Sequence, residues 1–418
     1  MTEVTEVVVT PVAFADPPLL NAAGVHQPLA LRSIVQVRTA DGETGLGETY
    51  GDDAFLTVLQ RVVPTLVGLS PFDLNGLWRK VSTVVGGADT PDAHGLTGPS
   101  SAQKSQARVF AAFEIAFLDL QGKQTGQPVH ALLGGKVRDA VPFSAYLFYK
   151  WAGHPGAEPD EWGEAVDPAG VVAQAKKMIG EYGFGSIKLK GGAFPAEEEA
   201  AAIKALAAEF PGVPLRLDPN AAWTVETSKR IASELDGVLE YLEDPTPGRA
   251  GMAEVAAVAS MPLATNMCVV AFADIPEAVA LGSVGIVLSD HHYWGGLRAS
   301  SHLAALCDTF GWGLSMHSNS HLGISLAAMV QLAAATPNLR YACDTHLPWA
   351  SDDVVVEPLR FVDGAVPVPE APGLGVELDP AALARLHEQY LASDIRRRDD
   401  GAYMRQFRPD FVRPDGNW

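Results

Sequence analysis

Ile187-Lys188-Leu189-Lys190, Leu215-Arg216-Leu217-Asp218-Pro219-Asn220, Tyr241-Leu242-Glu243-Asp244-Pro245, Leu263-Ala264-Thr265-Asn266, Ile286-Val287-Leu288-Ser289-Asp290 and Leu314-Ser315-Met316-His317 are six segments of one type. Each is a short apolar run that ends on a residue able to do chemistry. From Lys190 to His317 these polar ends recur every 23 to 28 residues. Strands at that spacing, each closing on a polar residue, are the mark of a β/α barrel rim.

The pattern extends both ways. Val141–Leu147 reads as a strand before the run, and Tyr341–Thr345 as one after it. Helical periodicity fills the gaps at Pro168–Tyr182, Glu197–Glu209, Val225–Leu235, Gly251–Ser260, Ile275–Leu281, Leu297–Phe310 and Ile324–Ala335. Eight strands and seven helices give an α/β fold, a modified TIM barrel of (β/α)7β type, with its strands parallel. Residues 1–137 have another grammar. Val4–Val12 and Ile34–Arg38 are β-branched strands, residues 53–82 are helical, and Ala107–Leu120 is a strongly apolar helix. This is an α+β unit. After about residue 355 the barrel rhythm stops, Pro380–Ala392 is helical, and the tail holds Arg396, Arg397, Arg398, Arg405, Arg408 and Arg413. The tail is expected to fold back on the first unit. The expected division is 1–137, an N-terminal α+β capping domain; 138–355, the barrel; and 356–418, a segment that completes the cap.

Composition limits the function. The 418 residues are 47% hydrophobic, enough for a large core, and carry a formal charge of −20. That charge repels nucleic acid and anionic membranes, so neither is an expected partner. A small anionic substrate would need a local cation. No window approaches the roughly 18 consecutive apolar residues of a membrane span. The acidic start, Met1-Thr2-Glu3-Val4-Thr5-Glu6, does not read as a signal peptide. Cys268, Cys307 and Cys343 cannot all pair within one chain and read as free thiols of a cytoplasmic protein.

Asp218, Glu243 and Asn266 end three consecutive strands. Two carboxylates and an amide oxygen are hard donors that suit Mg²⁺, and Zn²⁺ is disfavoured because no His or Cys joins them. Each alone could be a helix cap; all three in strand register favour a metal. Lys188 and Lys190 alternate on one strand and face the same way. As close like charges they are expected to lower each other's pKa, making one a usable base. His317, oriented by Asp290, is a second candidate base, with a buried structural histidine as the less favoured alternative for His317 taken alone. His317-Ser318-Asn319-Ser320-His321 is dense in hydrogen-bonding groups and suits a polyhydroxylated ligand.

These motifs resemble the enolase superfamily, and more narrowly its glucarate dehydratase subgroup. They are Lys188-Leu189-Lys190-Gly191-Gly192, Leu217-Asp218-Pro219-Asn220, Glu243-Asp244-Pro245, Ala264-Thr265-Asn266-Met267 and His317-Ser318-Asn319. Leu20-Asn21, Gly24-Val25-His26, Gly45-Leu46-Gly47-Glu48, Tyr146-Leu147-Phe148 and Arg398-Asp399-Asp400 carry the likeness outside the barrel. A lysine or histidine base beside Mg²⁺ is the known arrangement of that superfamily. The resemblance implies a Mg²⁺-dependent dehydratase of six-carbon diacid sugars. His317 with Asp290 would take the C5 proton of D-glucarate, Lys190 would serve the C5 epimer L-idarate, and Lys188 would tune Lys190. The resemblance implies substrate contacts from His26, Ser100, Tyr146, Lys188, Asn220, Ser318, Asn319, His346 and Arg398. Segments 85–103 and 150–165 depart from the family pattern. A dehydratase or epimerase of another acid sugar such as galactarate is therefore the alternative, and a catalytically silent relative the alternative of another class. A homo-oligomer is an expectation by analogy alone.

Overall fold

The structure is a computed structural model that describes residues 2–87 and 101–418. The chain opens with β1 (Val4–Ala15), β2 (Leu19–Asn21), β3 (Gly24–Val25), β4 (Leu29–Thr39) and β5 (Thr44–Tyr50). β1, β4 and β5 form an antiparallel sheet. Helices α1 (Asp53–Val62), α2 (Leu74–Val85) and α3 (Ala102–Thr125) follow. α3 lies directly on β5. The Gly45-Leu46-Gly47 motif allows this approach, because a Cβ at Gly45 or Gly47 would run into the Ala116 or Ala112 carbonyl oxygen.

After the short α4 (Val129–Leu132) come β6 (Ala140–Pro142) and β7 (Ala145–Lys150). The expected strand Val141–Leu147 is thus divided. β6 pairs antiparallel with the later β14 (Ala365–Pro367), outside the barrel, and only β7 enters it. Pro142 has no N–H to continue a ladder, which favours a break there. The barrel then runs α5 (Pro168–Tyr182), β8 (Ile187–Lys190), α6 (Ala196–Glu209), β9 (Leu215–Asp218), α7 (Val225–Glu234), β10 (Leu239–Glu243), α8 (Gly248–Ala256) and β11 (Leu263–Thr265). It continues with α9 (Ile275–Leu281), β12 (Ile286–Ser289), α10 (His291–Trp294), α11 (Gly296–Phe310), β13 (Gly313–Met316) and α12 (Gly323–Ala334). β7 to β13 pair in sequence order, all parallel.

The expected eighth strand, Tyr341–Thr345, is reduced to one parallel bridge between Cys343 and Phe143. It still closes the barrel. Cys343 N donates to Pro142 O at 2.9 Å on one side, and Asp344 N to Met316 O at 2.8 Å on the other. The chain then bends, and Thr345 Oγ1 accepts from Leu347 N.

The C-terminal region returns to the first sheet. α13 (Pro380–Ala392) packs on β1, where His387 bonds to the Pro11 carbonyl and Tyr390 to Asp53. α14 (Asp400–Arg405) packs on β3. The tail therefore reaches the loop that carries His26. No helix of the described residues is long and apolar enough to cross a membrane. Cys268, Cys307 and Cys343 are buried free thiols.

Candidate active site

β8 is buried along its whole length. Its two lysines, on the same face, point into the barrel and meet the carboxylates of neighbouring strands. Lys190 Nζ lies 2.6 Å from Asp218 Oδ2 and 2.9 Å from Asn220 Oδ1. Lys188 Nζ lies 2.7 Å from Asp344 Oδ2, 2.6 Å from Glu243 Oε2 and 3.6 Å from Asp218 Oδ2. This corrects the expectation that the lysines depress one another. Burial acts to lower the Lys188 pKa, but Asp344 and Glu243 outweigh it and hold it well above the ordinary lysine range.

Asp218 and Glu243 meet at the Lys188 ammonium, Asn266 follows the end of β11, the strand next to β10, and all three are buried. The Asn266 side-chain oxygen and Glu243 Oε1 accept no hydrogen bond among the described residues. Glu243 Oε2 touches Lys188 as an ion pair without hydrogen-bond geometry. Burial, and then the charge of Asp218, push the Glu243 carboxyl well above its usual pKa. Buried acceptors with no donor and mutually repelling carboxylates are the environment that a hard divalent cation relieves. The donor set therefore fits Mg²⁺. Asp244 braces the set: Asn266 N donates to its Oδ2 at 2.8 Å and Thr265 Oγ1 to its Oδ1 at 2.6 Å. Asn220 and Ala221, beside Asp218, hold left-handed backbone at φ 59° and 60°. That strain, roughly 1 kcal/mol or more per residue, sits where function rather than folding is expected to retain it.

On the other side of the barrel His317 Nδ1 lies 3.1 Å from Asp290 Oδ2. Burial works to raise the Asp290 pKa, but His292 and His317 hold it well below the carboxylate range. Asp290, His291 and His292 also place potential ligand atoms within 4.8 Å of one another. Asp290 is already occupied by the two imidazoles, and the Arg32 guanidinium lies 3.0 Å from His292 Nε2, so this group suits a cation poorly.

A cavity of about 490 Å³ opens over these residues. Lys190, His317, Tyr146 and His346 line it from the barrel, Asn21, His26 and Tyr50 from the first unit, and Arg398 from the tail. Of the expected substrate-facing residues, His26, Tyr146, Asn319, His346 and Arg398 line the cavity, and Lys188, Asn220 and Ser318 do not. Asn319 donates to the hydroxyls of Tyr50 and Tyr293, and Ser318 Oγ sits 3.2 Å from His346 Nδ1. Tyr146 lies under the Lys188 ammonium. Ser100 falls outside the described residues, as does most of segment 85–103.

His26 and Arg398 were expected to supply the local cation. Both lean on carboxylates of the chain itself. Arg398 is clamped by Asp400 at 2.9 Å and lies 3.9 Å from Asp16, which also bonds His26 Nδ1 at 3.1 Å. Sequence reasoning missed Asp16, Asp344 and His292. Asp344 was findable, because it ends the eighth strand-like segment by the rule that selected its neighbours. Asp16 and His292 follow strand ends whose direction into the site only the folded chain reveals.

Comparison with known proteins agrees with this geometry. Residues 4–134 match the mandelate racemase/muconate lactonizing enzyme N-terminal domain, and residues 170–382 match the enolase C-terminal domain-like family. A probable glucarate dehydratase of Streptomyces coelicolor is 58% identical over 98% of this chain and 97% of its own. The crystal structure of an enolase from Thermobispora bispora, complexed with magnesium and formate, superposes with a TM-score of 0.99 at 64% identity over the whole of both chains. That of an enolase from Pseudomonas fluorescens, with bound magnesium, potassium and tartrate, has a TM-score of 0.95 at 53% identity over 99% of each chain. With its two-part match, its closed barrel and the donor set at the strand ends, the chain belongs to the enolase superfamily.

Proposed function

We propose that this protein is a Mg²⁺-dependent dehydratase of acid sugars that converts D-glucarate, and its C5 epimer L-idarate, to 5-dehydro-4-deoxy-D-glucarate. The observation that carries the reading is that two candidate bases, Lys190 and His317, line one cavity beside Glu243 Oε1 and Asn266 Oδ1, buried oxygens without a hydrogen-bond partner among the described residues. The 58% identity to a probable glucarate dehydratase supports the choice of substrate.

In this reading Asp218, Glu243 and Asn266 would hold Mg²⁺, whose positive charge would acidify the C–H adjacent to the substrate carboxylate. His317, with its Nδ1 against Asp290, takes the C5 proton of D-glucarate through Nε2. Lys190 takes the same proton from the epimer, whose C–H faces it. Lys188 contacts the reacting carboxylate and keeps a cation beside Lys190. The protonated His317 then returns its proton to the departing C4 hydroxyl, so water leaves. His26, Tyr146, Asn220, Ser318, Asn319, His346 and Arg398 position the remaining hydroxyls and the distal carboxylate. The cap that would do so comprises residues 1–137 and 356–418, around a barrel of 138–355.

The test is turnover of a panel of acid sugars with Mg²⁺, scored by keto-acid formation and by proton NMR in D₂O. D-glucarate and L-idarate are expected to react. His317→Asn is expected to abolish D-glucarate turnover while leaving deuterium exchange into L-idarate measurable. No turnover of glucarate, idarate or galactarate would overturn the reading.

A further inference from the structure

The candidate dyad does not end at Asp290. His292 Nδ1 lies 2.8 Å from the second carboxylate oxygen of Asp290, Oδ1. Its other nitrogen, Nε2, lies 3.0 Å from Arg32 NH2 and 3.0 Å from Ser325 Oγ. All of these side chains are buried. Arg32 comes from β4 of the N-terminal sheet, not from the barrel. Glu48, the last residue of the Gly45-Leu46-Gly47-Glu48 motif, accepts from Arg32 Nε at 2.8 Å. It also accepts from the backbone N–H groups of Leu322 and Ser325 at the start of α12.

This geometry constrains where protons sit. Guanidinium only donates. Arg32 NH2 also reaches Ser325 Oγ at 3.1 Å, so the serine can accept from arginine and donate its own hydrogen to His292. Nε2 has a single lone pair, and accepting on it is the arrangement that leaves no N–H aimed at the guanidinium. A hydrogen on Nε2 would point at a cation 3.0 Å away. His292 must therefore carry its hydrogen on Nδ1 and donate it to Asp290 Oδ1. Asp290 has no hydrogen to give, so it also accepts at Oδ2 from His317 Nδ1, which leaves His317 Nε2 with a free lone pair facing the cavity.

We propose that Arg32 and His292 are positioning residues that fix the tautomer of His317 through Asp290, so that the N-terminal sheet sets the base of the barrel. The proposal rests on the reading of His317 as a base only for its kinetic consequence; the proton placement stands without it. Without Arg32, Nε2 of His292 is free to carry the hydrogen and donate it to Ser325 Oγ, which alters what Asp290 offers His317.

The test uses the full-length protein labelled with ¹⁵N-histidine. Long-range ¹H–¹⁵N spectra distinguish the Nδ1–H from the Nε2–H tautomer. The His292 resonances are assigned by their loss in His292→Asn and, independently of any variant, by contact with the Tyr50 ring, 5.6 Å away. The wild type is expected to show Nδ1–H at both His292 and His317. Arg32→Lys, which can still donate to Nε2, is expected to keep that pattern, and Arg32→Met to lose it. Arg32→Met is also expected to slow exchange at the His317-dependent epimer about 10- to 100-fold, as loss of an outer hydrogen-bond partner does elsewhere. Exchange at the Lys190-dependent epimer should change far less. An Nε2–H tautomer at His292 in the wild type overturns the proposal, and so does an equal loss at both epimers in a folded Arg32→Met. Absence of any sugar turnover, with the expected tautomers, would instead overturn the functional reading and leave the proton placement intact.

Discussion

Lys188 Nζ lies 2.7 Å from Asp344 Oδ2, and both side chains are inaccessible to solvent. Glu243 approaches the same ammonium at 2.6 Å. Asp344 thus gives Lys188 a counter-ion outside the metal-donor set, which leaves Glu243 able to serve a cation as well. Asp344→Asn removes that counter-ion and makes Lys188 compete for Glu243. Mg²⁺ affinity is expected to fall about tenfold or more. Breaking a buried pair also destabilises the fold, by up to about 3–5 kcal/mol where no substitute partner exists. Glu243 is a substitute here, so the loss should be smaller. Isothermal titration with Mg²⁺ and a melting curve without metal check both parts; unchanged Mg²⁺ affinity would refute the competition.

Asn266 makes the complementary case. Its side-chain oxygen has no hydrogen-bond partner among the described residues, so the metal-free fold gains little from it. Asn266→Ala is expected to leave the metal-free melting temperature within a few degrees of the wild type. It should sharply reduce the stabilisation that added Mg²⁺ produces, since that stabilisation follows binding to the native state. A large loss of stability without Mg²⁺ would mean that Asn266 is structural.

The residues legible in the sequence share one property: they end apolar strands at even spacing. That rule places Lys190, Asp218, Glu243, Asn266, Asp290 and His317 around one rim, because a parallel barrel aligns its strand ends whatever its loops do. The missed residues act across longer distances. Arg32 meets His292 from another sheet, 260 positions away, and no local pattern encodes that contact. The expected mutual depression of the two lysines failed for a related reason. Their spacing on β8 is a local fact, but Asp344 and Glu243, which decide the charge of Lys188, arrive from other strands. The eighth strand was misjudged in extent because Cys343 alone completes the ladder before the chain bends at Thr345.

Glu114 is buried in α3, and that burial raises its carboxyl to about 7 from an ordinary 4.5, although it accepts the backbone N–H groups of Leu297 and Arg298. A carboxyl whose folded-state pKa is raised binds its proton more tightly in the folded state. It favours the fold below about 4.5, and this contribution is lost as pH rises towards 7. Glu114→Gln cannot titrate. Relative to the wild type its stability should therefore climb with pH across that window, by up to about 3 kcal/mol. Any constant offset from the altered hydrogen bonds leaves this slope intact. Denaturant melts of both proteins from pH 5 to pH 8 measure it, and parallel curves would refute the assignment.

Gly24 holds the tail against the site. Its φ of +124° is open to glycine and hardly to other residues, and a Cβ there would meet the Asp400 carbonyl oxygen at 2.8 Å and Met404 Cβ at 3.0 Å. Asp400 is the residue that clamps Arg398, and its Oδ1 also accepts from Gln27 N beside His26. Gly24→Ala must therefore either strain β3 or push α14 outward, and the second course displaces Arg398 from the cavity wall. The barrel rim with its candidate bases lies on other strands and should keep its geometry. The expected result is a rise in KM for an acid sugar of about tenfold, the scale of one weakened charge-assisted contact, with a much smaller change in kcat. Faster proteolysis within residues 393–418 should accompany it. Steady-state kinetics and a timed protease digest test the two together. A fall in kcat at unchanged KM would show that the tail governs the chemistry rather than the hold on the substrate.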